Sequence, residues 1–250
     1  MAYAFSDICI VLGIYFVAAF AKGITGLGFS TACLPMLVLI FGLKPTLPLL
    51  IIPSIASNLI VMKQAGEFKI TLQQFWPLYI VQIPGLFLGL WLLVWLAPYI
   101  GTAILGMVLI IYCLFAFSKP EFLLSNRLKQ LLALPTGFVT GVINGLTGSQ
   151  VMPVLPYMLS LGLRPSRFIQ AINCSFTLSS VLMTFGLIKL ELMTIEAVSL
   201  SILGLLPVYF GAKRGGKLRE RVAPAVFRKL VLILLILMGC VLAGQFLFNH

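Results

Sequence analysis

The sequence predicts an all-α fold: a polytopic helical membrane protein built as an inverted repeat of two five-segment halves with interrupted helices. Three observations predict it, namely the composition, ten apolar segments separated by basic loops, and a likeness between the two halves. Of the 250 residues, 61% are hydrophobic and only 9% are charged, with a mean hydropathy of +1.13. Because a soluble domain carries about 25% charged residues, lipid must cover most of this chain.

Ten apolar segments follow one another along the chain, and a helix that spans a bilayer needs roughly 20 such residues. We predict them at 5–21, 24–41, 46–64, 72–96, 99–118, 130–147, 149–162, 166–188, 193–212 and 224–248. Two of them are unusual, because 24–41 contains two glycines and Pro35, while 149–162 is too short to cross upright and contains two prolines. These two segments are the interrupted ones.

The basic residues indicate the orientation. Loops after odd-numbered segments carry 15 Lys and Arg, and loops after even-numbered segments carry only Lys44 and Lys189. Since Lys and Arg collect in cytoplasmic loops, we expect a multi-pass protein of the cell inner membrane with both termini outside the cytoplasm. The first two segments, and likewise the sixth and seventh, are either full spans or re-entrant hairpins, and the later loops keep their sides in both cases.

The net charge of +11 has a topological explanation. Seven basic residues lie in the loop 213–229, which we expect to face anionic lipid headgroups. We therefore expect no nucleic-acid partner and no cofactor. A homodimer is compatible with the sequence, although no surface motif indicates one.

The two halves of the chain repeat each other's motifs. Residues 23–30 read GITGLGFS and residues 141–149 read GVINGLTGS. The tetrapeptides GLKP at 42–45 and GLRP at 162–165 follow with an offset of 120 residues. We therefore expect two transmembrane repeats.

The repeats are predicted at 1–122 and 123–250. Each holds five segments, and two similar halves with an odd number of segments must lie in opposite orientations. Inverted repeats of this kind are common in secondary transporters, which bind substrate near the middle of the membrane at interrupted helices.

The glycine-rich turns and the polar residues near them form the candidate substrate site. Glycine permits a turn inside the membrane, and the free N–H groups of a helix that begins there favour an anion. The candidate residues are Lys22, Gly23, Thr25, Gly26, Gly28, Ser30, Ser54, Ser57, Asn58, Asn144, Gly145, Thr147, Gly148, Ser149, Gln150, Gln170, Asn173 and Thr177. The alternative is helix packing, which also favours small residues.

Lys22 has two interpretations. At the membrane surface it anchors the helix by extending its amine towards the headgroups. Near the middle of the membrane it would be a costly charge with a functional partner, such as a bound anion.

Catalytic and metal-binding chemistry has few residues to use. The only histidine is His250, and the six acids Asp7, Glu67, Glu121, Glu191, Glu196 and Glu220 lie near the ends of segments. Intramembrane proteases and metal sites need such groups in the bilayer, so we expect neither an enzyme nor a metal site. We also expect that a coupled proton travels on the substrate, or that the anion gradient and the membrane potential drive transport. A channel and a receptor remain alternatives.

The paired glycine-rich turns, the proline that follows each of them (Pro35 and Pro153), and the GLKP and GLRP tetrapeptides resemble the sulfite exporter TauE/SafE family of bacterial anion permeases. The resemblance extends over nearly the whole chain. It implies export of a small sulfur oxyanion or organosulfonate, such as sulfite or sulfoacetate. A transporter or importer of another small anion or metabolite is the nearest alternative.

Overall fold

The structure is a computed structural model that describes residues 3–25, 28–118, 123–219 and 224–248. These residues form eleven α-helices and no β-strand. The helices are α1 (Phe5–Thr25), α2 (Phe29–Phe41), α3 (Leu43–Ala65), α4 (Phe68–Trp95), α5 (Pro98–Ser118), α6 (Asn126–Thr147), α7 (Val154–Ser160), α8 (Pro165–Lys189), α9 (Ile195–Leu203), α10 (Leu205–Arg219) and α11 (Pro224–Phe248).

The sixth and seventh predicted segments differ from the helices that form there. Helix α6 begins at Asn126 rather than at 130, because the Ser125 hydroxyl accepts a hydrogen bond from the Leu128 N–H at 3.4 Å and caps the helix. Helix α7 has only seven residues, since 148–153 ahead of it are not helical. This region is therefore a longer interruption than the sequence predicted.

The ninth predicted segment consists of α9 and α10, which meet at Gly204. Pro207 has no N–H to donate to the Leu203 carbonyl, so the helical hydrogen bonding is interrupted there. The ring of Tyr15 on α1 occupies the space that a side chain at Gly204 would need. The two helices together are still long and apolar enough to cross a membrane once, over Ile195–Leu218.

Within the described residues, seven stretches are long and apolar enough to cross a membrane. They are α1, α3, α4, α5, α8, the α9–α10 pair and α11. Helix α2 is short, with 13 residues. The predicted all-helical polytopic membrane fold is thus confirmed, whereas the inverted repeat stays a prediction.

Some helix pairs approach so closely that only glycine fits between their backbones. Helix α4 packs along α6, and a Cβ at Gly141 would lie 2.7 Å from the Leu86 nitrogen. Helix α1 packs along α10, and a Cβ at Gly23 would lie 2.5 Å from the Ala212 oxygen. Such contacts let membrane helices associate by close backbone packing.

The pairing of the helices relates the two halves of the chain. Helix α1 opens the first half and α6 opens the second, while α4 and the α9–α10 pair hold the fourth place in each. If the two halves are exchanged, α1 corresponds to α6 and α10 corresponds to α4, so the α1–α10 contact matches the α6–α4 contact. Under the same exchange α3 corresponds to α8 and α5 corresponds to α11, and the helices of each of these pairs also pack against each other. This pattern is the one that a two-fold relation between the repeats would produce.

The end of α3 and the start of α8 lie on the same face of the protein. Arg167 Nε donates to Glu67 Oε2 at 2.9 Å, and the Ser166 hydroxyl donates to Glu67 Oε1 at 2.7 Å. The bonds from Ser166 and then Arg167 lower the pKa of the Glu67 carboxyl. The distribution of basic residues placed these two loops on one side of the membrane, and in the structure they are in contact.

Candidate functional site

Helix α3 runs through the centre of the protein, and Ser54 is its middle residue. The helix extends over Leu43–Ala65, so Ser54 lies about 16 Å from either end at 1.5 Å per residue. Pro53, which has no N–H, leaves the Leu49 carbonyl without its helical donor. The hydroxyls of Tyr15 and Ser201 donate to this carbonyl instead, the latter at 3.0 Å. Helices α1 and α9 therefore hold α3 at its interrupted turn.

A small central cavity lies beside the middle of α3. Its volume is about 20 Å³, which is room for one water molecule. It is lined by Ser30, Leu47, Leu50, Ile51, Ser54, Asn144, Gly148, Gln150, Ser180 and Met183. These residues come from α2, α3, the end of α6 with the residues after it, and α8, so both halves contribute.

Three side chains that line the central cavity carry polar atoms without a protein partner. Both amide atoms of Asn144, the Ser54 hydroxyl and Gln150 Oε1 are buried and unpaired. The three residues are only 1%, 3% and 7% exposed, respectively. Because an unpaired buried polar group costs about 1–3 kcal/mol, a cluster of such groups is a typical feature of a ligand site.

The first helix interruption brings the start of α2 to this cavity. Helix α1 ends at Thr25, and Gly28 precedes α2 without a side-chain cap. The first N–H groups of a helix have no partner within it. Ser30, in the first turn of α2, lines the cavity. The interruption thus supplies hydroxyl and N–H donors at this end of the site.

The second interruption is held by Thr147 and Gly148. Gly148 adopts φ = 76°, which only glycine adopts readily, and ends α6. The Thr147 hydroxyl donates to the Ile143 carbonyl at 2.6 Å and accepts from the Ser149 N–H at 3.1 Å. The chain then turns so that Gln150 reaches α8, where its Nε2 donates to the Ser180 hydroxyl at 2.9 Å.

Lys22 lies in the last turn of α1 and is partly buried. Its amine donates a hydrogen bond to the Ser57 hydroxyl, one turn along α3 from Ser54. Ser57 is about 12 Å from the end of α3 at Ala65, from the rise of 1.5 Å per residue. The Lys22 amine therefore contacts α3 one turn from a residue that lines the cavity, and its depth in the membrane stays a prediction.

The predicted site residues fall into separate groups in the structure. Ser30, Ser54, Asn144, Gly148 and Gln150 line the central cavity. Gly23 and Gly145 instead permit close contact with α10 and α4. Gly28, Ser57, Asn58, Thr147 and Ser149 lie in the elements beside the cavity without lining it. Gly26 and the side chain of Thr25 are outside the described part of the chain.

The three candidates on the first half of α8 do not reach the cavity. The Asn173 amide donates to the Ile169 carbonyl at 2.7 Å, within its own helix. The Thr177 hydroxyl contacts the Met62 sulfur at 3.4 Å. Gln170 is fully buried, with Oε1 unpaired. These residues follow α8 between the cavity and the Glu67–Arg167 ion pair.

Ser180 was not among the predicted residues, although it lines the cavity and bonds Gln150. It lies three residues after Thr177, on the same face of α8, and continuing that face for one more turn would have found it. The neighbouring polar group of Gln82, Ser175 and Ser179 is different, because these side chains bond one another between α4 and α8. That group is structural.

No group of three or more His, Cys, Asp and Glu side chains suited to a metal ion occurs in the described ranges.

Comparison with curated proteins and with solved structures gave no match. The family model described as "Sulfite exporter TauE/SafE" matches residues 11–242, nearly the full length. With its seven apolar crossings, the chain therefore belongs to the sulfite exporter TauE/SafE family, a family of membrane transporters and not of enzymes.

Proposed function

We propose that this protein is a secondary transporter that exports a small sulfur oxyanion or organosulfonate, such as sulfite or sulfoacetate, by alternating access. The membrane is the cell inner membrane, and both termini lie outside the cytoplasm. The family supports transport and suggests a sulfur substrate, and the polar groups of the central cavity are suited to a small anion.

The observation that carries this proposal is the set of unpaired polar atoms around the central cavity. Asn144, Ser54 and Gln150 present neutral donors and acceptors in an otherwise apolar lining. Such groups can replace part of the hydration shell of a small oxyanion, and Lys22 on α1 adds a positive charge at Ser57, one turn along α3 from Ser54.

The small volume of the cavity supports alternating access. A volume of about 20 Å³ holds one water molecule but not a sulfur oxyanion with four or more heavy atoms. The surrounding helices must therefore separate before a substrate can enter. Since the cavity lies between repeats 1–122 and 123–250, we propose that these halves move against each other, and that the α3–α8 contact opens towards one side at a time.

The basic residues at the end of α10 support the proposed orientation, although 213–219, predicted as part of a loop, is helical. Lys213, Arg214 and Lys217 are exposed at the end of α10, where anionic headgroups of the cytoplasmic leaflet would attract them. Homodimerisation stays a prediction.

Transport by purified protein in liposomes tests the proposal. We expect saturable flux of sulfite or of a sulfonate such as sulfoacetate, and its loss in Asn144→Leu. Asn126→Leu is the matched control, because Asn126 is an exposed asparagine in the first turn of the same helix. Flux of neither anion by a folded protein would remove the substrate assignment, and flux that does not saturate would favour a channel.

A further inference from the structure

We propose that the transported species is a singly charged oxyanion that retains a hydrogen-bond donor, such as hydrogensulfite, rather than a fully ionised dianion. This inference rests on the proposed function and specifies the protonation state of its substrate. It follows from the kinds of polar groups that surround the central cavity and from the charges near them.

Asn144 presents both a hydrogen-bond donor and an acceptor to the cavity. Its Nδ2 and Oδ1 are both buried and both unpaired. An amide flip exchanges Nδ2 and Oδ1, so Asn144 presents one donor group and one acceptor in either orientation. A fully ionised oxyanion offers only acceptor oxygens, which would satisfy the NH₂ group but would repel the amide oxygen. A ligand with an O–H group can satisfy both.

Gln150 and Ser54 are compatible with the same ligand. Gln150 donates from Nε2 to the Ser180 hydroxyl, which leaves Oε1 as a second unpaired acceptor. The Ser54 hydroxyl is unpaired and can donate or accept. The cavity therefore presents acceptor groups together with donors, unlike a site that is built from donors alone.

The charges near the cavity favour a single negative charge. No residue that lines it is charged. The titratable side chains in the inner parts of α1, α2, α4 and α8 are Tyr15, Cys33, Tyr79 and Cys174, and Lys22 lies in the last turn of α1; none of them is a lining residue. Helix α10, which packs along α1, carries Lys213, Arg214 and Lys217. The other basic and acidic residues of α3, α6 and α8 are Lys44, Lys63, Arg127, Lys129, Arg167 and Lys189, together with Glu67, and all lie at or beside helix ends.

One nearby cation can offset one negative charge. Lys22 bonds Ser57 next to the site, whereas a second negative charge on the ligand would be desolvated without a partner, which is strongly unfavourable. Hydrogensulfite also carries its own proton, so the protein needs no intramembrane carboxylate. After release, the hydrogensulfite that dissociates yields sulfite and one proton on the receiving side.

The test is sulfite flux in proteoliposomes at constant total sulfite, at several pH values on both sides of the pKa of hydrogensulfite. Protein-free liposomes give the passive leak of sulfur dioxide, which is subtracted. We expect the protein-dependent rate to fall as pH rises, in proportion to the hydrogensulfite concentration. We also expect sulfate, a dianion at every pH used, to fail as a competitor.

A Lys22→Gln variant separates titration of the substrate from titration of the protein. We expect its rate to fall at least tenfold at every pH, with the midpoint of the pH profile unchanged, because that midpoint belongs to hydrogensulfite. A rate that rises with pH, sulfate competition as strong as that of sulfite, or a midpoint that moves in Lys22→Gln would overturn the proposal. Absence of flux at all pH values would overturn the proposed function as well.

Discussion

Replacing Asn144 by leucine is expected to abolish transport without destabilising the protein. Asn144 lies in the last turns of α6, only 1% exposed, and neither amide atom has a protein partner. Leucine has the same number of side-chain heavy atoms and the same branch at Cγ, although its methyl groups are larger, and it removes the donor and acceptor that we assign to the substrate. The substitution breaks no hydrogen bond within the protein.

The size of the effect on stability follows from these contacts. A buried polar group without a partner costs about 1–3 kcal/mol, and exchange for an apolar group of similar shape is nearly neutral or stabilising. We therefore expect the free energy of unfolding of Asn144→Leu to stay the same or to rise by up to about 3 kcal/mol.

Thr147→Val provides the opposite case on the same helix. Its hydroxyl accepts from the Ser149 N–H and donates to the Ile143 carbonyl. Valine has the same shape but leaves that N–H unpaired in a buried loop, so we expect the free energy of unfolding to fall by about 1–3 kcal/mol.

Denaturant unfolding in detergent micelles, followed by tryptophan fluorescence, measures both values, and liposome flux measures transport. The reasoning fails if Asn144→Leu loses more than about 1 kcal/mol, because Asn144 would then make a stabilising bond. It also fails if Asn144→Leu transports at the rate of the unmodified protein.

Three further predictions concern other parts of the structure. Gly141→Val should prevent folding because its side chain would meet the backbone of α4. The control Gly13→Val should fold, because no atom lies within 4 Å of the added Cβ. The yield and the size-exclusion profile in detergent measure both outcomes. Glu67→Gln should loosen the contact between α3 and α8, raising the labelling rate of a cysteine placed at Ser57, and an unchanged rate would show that the ion pair does not hold this contact closed. In the unmodified protein, the pKa of Glu67 is lowered by its partners. The ion pair therefore stabilises the contact between α3 and α8 fully above the usual carboxyl pKa, and this stabilisation is lost as pH falls through the lowered pKa. We expect the labelling rate of the cysteine at position 57 to rise only in acid, and a rise near neutral pH would contradict this.

The fold was largely accessible from the sequence because lipid imposes simple rules. A chain with 9% charged residues must span membranes, and apolar length predicts where helices cross. The details that failed depend on local backbone chemistry. Segment seven became a seven-residue helix after a non-helical stretch, and segment nine was interrupted before Pro207. Apolar composition is the same for a helix and for a buried non-helical chain, so hydropathy does not distinguish them.

The candidate site was accessible only in part. Ser30, Ser54 and Asn144 were predicted from their places near the glycine-rich turns, and they line one cavity. Asn173 matched the same pattern, but its amide bonds its own helix. Ser180 was missed because the choice among the hydroxyl residues of α8 depends on how that helix rotates against α3. Packing determines such rotations, and the sequence periodicity does not fix them.

The place of Ser54 at the middle of α3 has a consequence for the electrical driving force. An ion that moves from one aqueous side to the central cavity crosses about half of the membrane, and hence about half of the voltage. Since a full crossing of one charge is worth about 2.3 kcal/mol per 100 mV, each half is worth about 1.2 kcal/mol. For a monoanion leaving a cell that is negative inside, the voltage would therefore assist binding from the cytoplasm and release to the outside almost equally. Neither step would carry the whole voltage dependence of export.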